Sequence, residues 1–89
     1  MRLSSDEFDR LIKQSAALRG SKDFAGAVAL IESRLADLDP DCLLNAYLEC
    51  FYTACEAGSH EKATEYAYKL AAIDPQIPTV KAFLSARQT

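Results

Sequence analysis

The chain has 89 residues, of which 49% are apolar and 26% charged, with a net charge of −3. That length allows one domain, residues 1–89, which buries only about 60% of its unfolded surface or slightly more and leaves little stability to spare. The charge is lopsided: residues 41–75 carry Asp41, Glu49, Glu56, Glu61, Glu65 and Asp74 against Lys62 and Lys69, which repels phosphate backbones and argues against nucleic acid as a partner.

No run of apolar residues reaches the ~18 needed to span a bilayer, so no membrane partner is expected. The opening Met1-Arg2-Leu3-Ser4-Ser5-Asp6-Glu7 turns polar too early for a signal peptide, and a cytoplasmic location is expected. The three cysteines Cys42, Cys50 and Cys55 fall on helical segments in an odd number. They read as reduced, partly buried thiols rather than as a disulfide framework.

Five helices are expected in chain order, and strand signals are absent. The first opens at Ser4 as N-cap, with Glu7 three positions on to close a capping box and Leu3 set to staple against Phe8. Phe8, Leu11, Ile12, Ser15 and Leu18 mark its buried face, and Gly20 is expected to end it. The second should run from Ser21 or Asp23 to Leu38 on a stripe of Phe24, Ala27, Val28, Ile31, Leu35 and Leu38, with Pro40 beyond its end.

The third, about Cys42 to Ala57, is apolar over most of its circumference. Asn45, Glu49, Thr53 and Glu56 form its narrow polar strip. Such a helix is buried by several neighbours or by a partner. The fourth starts at Ser59 and buries Ala63, Tyr66, Ala67, Leu70, Ala71 and Ile73 before the Asp74-Pro75 stop. The fifth begins near Pro78, a residue suited to a first helical turn, and places Val80, Phe83, Leu84 and Arg87 on one side.

Two of these segments echo each other. Gly20 and Gly58, Ala27 and Ala63, and Pro40 and Pro75 lie 38, 36 and 35 positions apart. A period of that size marks a helix-turn-helix repeat array. A single repeat cannot bury its own apolar face, so repeats stack and leave a surface on which other proteins bind.

Gly58-Ser59-His60, Ala63, Leu70-Ala71 and Ile73-Asp74-Pro75, with Tyr47 at the bulky opening position of the preceding helix, resemble the tetratricopeptide repeat. In that family the second helix follows a glycine and an aromatic, carries small alanine positions and ends in proline. The resemblance covers roughly residues 20–84. It departs at His60, where an aromatic is usual, at Phe51, where a small residue is usual, and at an extra residue between Phe24 and Pro40.

The resemblance implies an all-α, right-handed helix-turn-helix stack of about five helices and two and a half degenerate repeats, with a concave groove. Carried over position by position, the groove would be lined by Asn45, Leu48, Glu49, Tyr52, Cys55 and Glu56 on the third helix, and by Thr79, Ala82 and Phe83 on the fifth. Members that grip a partner's C-terminal carboxylate place Lys, Arg and Asn there. Leu48 and Tyr52 stand here instead and suit an amphipathic helix laid into the groove. Tyr47 and Tyr66 are expected to fill the core.

No catalytic set emerges. Cys50, Cys55 and His60 are spaced five and five apart, unlike the close cysteine pairs of a zinc site, and no cofactor is expected. Asp6, Glu7 and Asp9 sit in a first helical turn, where carboxylates complement the helix dipole.

Three classes of function compete. The foremost is a small cytoplasmic chaperone, because the size and the ending Asp74-Pro75-Gln76-Ile77-Pro78-Thr79-Val80 are similar to type III secretion needle-subunit chaperones. That likeness implies a partner's amphipathic helix as the cargo, often alongside a small helical co-chaperone. The second class is a homo-oligomeric scaffold whose groove another copy fills, and the third is a small thiol or metal enzyme.

Overall fold

Local signals set the helix boundaries in the computed structural model, which describes residues 2–87. Five α-helices are present: α1 (Ser5–Gly20), α2 (Phe24–Glu32), α3 (Pro40–Ala57), α4 (His60–Ile73) and α5 (Pro78–Arg87). No strand occurs among the described residues, and the chain is all-α. The side chain of Arg87, expected on one side of the last helix with Val80, Phe83 and Leu84, lies outside the described residues.

The first helix starts as its sequence requires. The Ser4 hydroxyl accepts from the Glu7 amide at 3.2 Å, and the Glu7 carboxylate accepts from the Ser4 amide at 3.0 Å. Hydrogen bonding from the Ser4 amide, then from the Ser4 side chain, holds the Glu7 carboxyl below the ordinary carboxylate range. Replacing Ser4 by Ala is expected to cost about 1 kcal/mol, read as a shift of the urea unfolding midpoint with an unchanged slope. An unchanged midpoint would show that the box carries no stability.

Gly20 ends this helix, as expected, as its last helical residue. The left-handed turn falls two positions later, at Lys22 with φ 67°. Ser21 caps the end by donating its amide to Ala17 and its hydroxyl to Leu18 and Ala17. Gly58 does take the left-handed role, with φ 72° after α3. Its amide donates to Cys55, and the next amide, of Ser59, donates to Ala54, which closes the helix end on a residue without a Cβ penalty.

The second helix stops at Glu32 rather than at Leu38. The Ser33 hydroxyl donates back to the Leu30 carbonyl at 2.7 Å, and a short 3-10 turn, Leu35–Asp37, carries the chain onward. That turn advances faster per residue than an α-helix, and it falls in the copy with one residue too many. Leu38 and Asp39 are then extended, as the position before a proline demands, and Pro40 opens α3 two residues ahead of the expected start.

Each helix packs on its chain neighbours, and α1 also touches α3. The Cα envelope is 41 × 28 × 17 Å. One buried cluster joins Phe8 and Leu11 of α1 to Ile31, Cys50, Tyr66 and Leu70, and reaches Val80 of α5.

The third helix packs against α1, α2 and α4, and its polar strip is divided by that packing. Thr53 is 1% exposed and donates its hydroxyl to the Glu49 carbonyl at 2.7 Å, the usual way a mid-helix threonine is satisfied without water. No helix among the described residues is long and apolar enough to cross a membrane.

Candidate functional site

A cleft of about 330 Å³ opens between α1 and α3. Helical spacing builds both of its walls. Phe8, Asp9, Ile12 and Lys13 fall along one edge of α1, and Asn45, Leu48, Glu49 and Tyr52 recur at i, i+3, i+4 and i+7 on α3. The apolar part is Phe8, Ile12 and Leu48, flanked by Tyr52, which is 39% exposed. A tyrosine ring left that accessible beside an apolar floor offers contact area at little conformational cost.

The polar ends are mostly neutralised. Glu49 accepts from Arg19 at 3.2 Å, with both side chains 25% exposed. Asp9 and Lys13 stand one turn apart on α1 and are exposed. Of the groove residues inferred from sequence, Asn45, Leu48, Glu49 and Tyr52 therefore come together in one cleft.

The others do not join them. Cys55 and Phe83 line a smaller cleft of about 140 Å³ near the α3–α4 turn, with His60 and Ala63. Phe83 meets Phe51 edge-on at 5.3 Å, so the bulk of Phe51 at a normally small position is met by a ring from α5. Glu56, Thr79 and Ala82 are exposed and line neither cleft.

Sequence reading missed the contribution of α1. The signal was present: Phe8, Leu11, Ile12, Ser15 and Leu18 make a stripe wider than one neighbouring helix needs. The structure uses Leu11 and Ser15 toward the core, where the Ser15 hydroxyl donates to the Ala27 carbonyl at 3.0 Å, and leaves Ile12 half-buried at the cleft.

A second polar group lies between α2, α3 and α4. Glu32 accepts from Lys62 at 2.9 Å and from the Tyr66 hydroxyl at 2.6 Å. Burial works against its charge, but these two hydrogen bonds outweigh it and hold the carboxyl below the ordinary range. Burial, then donation to Glu32, raises the Tyr66 hydroxyl. Tyr47 is only half-buried, against expectation; its ring lies 5.7 Å from that of Tyr66, with the Lys69 ammonium 5.7 Å from its centre.

Cys50 is fully buried, and burial pushes its thiol up to about 12. A thiol in that setting is protonated at neutral pH, the reverse of a nucleophilic cysteine. Cys55 and His60 are exposed, and no three His, Cys, Asp or Glu side chains among the described residues gather as metal ligands do. Compared with known protein families, characterised proteins and solved structures, the chain matches none.

Proposed function

We propose that this chain is a protein-binding module and no enzyme, a small cytoplasmic chaperone that holds an amphipathic helix of a partner protein. The observation that carries this reading is the apolar cleft between α1 and α3 with the half-exposed Tyr52 on its wall. The stretch Asn45–Tyr52 covers about 10 Å of helix, which matches two turns of a docked helix reading anchors at i, i+3, i+4 and i+7. The sequential stacking of helix pairs supports a degenerate tetratricopeptide-like arrangement, and with it a cargo of the needle-subunit type, alone or with a small helical co-chaperone.

The test uses the whole chain as bait in native cytoplasm, followed by calorimetry with the purified partner. Tyr52→Ala is expected to weaken binding by about 2 kcal/mol, close to thirty-fold, while far-ultraviolet helicity stays intact because the ring is not core. Phe8→Ala, at 7% exposure, should damage folding first. Unchanged affinity in the Tyr52 variant, or loss of its helicity, would sink the cleft as the binding surface.

A second reading, a homo-oligomeric scaffold, draws on Tyr68 and Ile73, which are 60% and 48% exposed on α4. Light scattering that shows a concentration-independent dimer without any partner would favour it.

A further inference from the structure

A different cavity, of about 240 Å³, lies where α2, α3 and the start of α4 meet. It shares no lining residue with the α1–α3 cleft. Its walls are Phe24, Ala25 and Val28 from α2 and Ala54 and Ala57 from α3. Small side chains on facing helices leave the space open, and the exposed Ala25 and Ala57 form its mouth.

Most polar groups around it are already paired, although the Ser59 hydroxyl that also lines it makes no helix-cap bond. The Thr53 hydroxyl is spent on the Glu49 carbonyl, and no buried side-chain nitrogen or oxygen among the described residues lacks a partner. At the rim, Lys62 and Glu32 neutralise each other at 2.9 Å, with Glu65 a further 3.7 Å contact of the ammonium. The cavity's volume exceeds the roughly 150 Å³ at which an apolar cavity already admits benzene.

We infer that this cavity is a binding site for a small uncharged aromatic molecule of one or two fused rings, seated against Phe24 and Val28. The two charged lining residues, Lys62 and Glu32, cancel and give no advantage to an ionic ligand, and the Phe24 ring favours a flat π-partner in an offset or edge-on arrangement. The site belongs to this junction of helices and would stand even if the cleft between α1 and α3 bound nothing.

Indole is the probe. Titrated into the full chain and followed by amide and methyl NMR shifts, it should bind one-to-one and saturably, with shifts centred on Phe24, Val28, Ala54 and Ala57, and should raise the melting temperature as linkage requires. Ala57→Leu fills the mouth with a good helix former and should weaken indole about ten-fold or more without lowering the melting temperature; Ala25→Leu does the same from α2 and serves if the first variant folds poorly. Tyr52→Ala should leave indole binding unchanged. Shifts that never saturate, or full affinity retained in both filled variants, would overturn the site.

Discussion

Replacing Tyr66 by Ala is expected to destabilise the fold by about 3–5 kcal/mol, the range for large buried aromatics cut to alanine. Single domains hold together by only about 5–15 kcal/mol, so this variant should lose a large share of its stability and melt well below the parent. The side chain is 1% exposed, packs its ring 5.7 Å from Tyr47 and donates its hydroxyl to Glu32 at 2.6 Å. Tyr66→Phe keeps the ring and removes only that bond, which should cost about 1–3 kcal/mol, since Glu32 retains Lys62. Urea titrations of both variants measure the difference. A Tyr66→Ala protein within about 1 kcal/mol of the parent would mean that this ring is not what binds α4 to α2 and α3.

Alkaline pH is expected to unfold the protein from a second direction. An unfolded chain releases the Cys50 proton near the ordinary thiol value of 9.0, whereas the folded protein keeps it until about 12. Between those limits the folded state holds a proton that the unfolded state has lost, so stability falls as pH rises. Each such proton lowers the folding equilibrium constant about ten-fold per pH unit. Tyr66, also raised in the folded state, adds to the fall above its ordinary value of 10.0. Below pH 9 both contributions are complete.

Glu32 works in the opposite sense. Its lowered carboxyl supports the fold above the ordinary value of 4.5 and loses that support as the pH drops through the folded value. Chemical denaturation between pH 8 and 11 checks the alkaline limb, and Cys50→Ala should flatten its first part. A flat profile in the parent protein would show that Cys50 reaches solvent more readily than its burial allows.

These two tests concern Tyr66 and Cys50, which are buried within the fold, and the contrast with Tyr52 is what makes the cleft testable. Tyr66 and Tyr52 stand on adjacent helices and look alike in the sequence. One is sealed between α2, α3 and α4 with its hydroxyl satisfied, and the other is 39% exposed beside a floor of Phe8, Ile12 and Leu48. Changes at the first should be read in folding, and changes at the second in binding.

The sequence by itself determined the all-α class and most helix ends. Ser4 and Glu7, Gly58 and Pro78 act within one turn of their own positions, because capping and backbone restriction are local effects. It also determined most of the buried face of α4, Ala63, Tyr66, Ala67 and Leu70, but Ala71 is only half-buried and Ile73, expected on the same face, is 48% exposed. Only the structure shows where α2 breaks, that Lys22 rather than Gly20 takes the left-handed turn, and that Thr53 is buried while Tyr52 is not. It likewise decided that Phe83 is drawn to Phe51, away from Tyr52's cleft, and that α1 supplies the other wall of that cleft. A helix apolar nearly all round, as α3 is, carries no mark of which neighbour covers which side; that depends on how α1, α2 and α4 pack around it, and packing is a property of the whole chain rather than of any window within it.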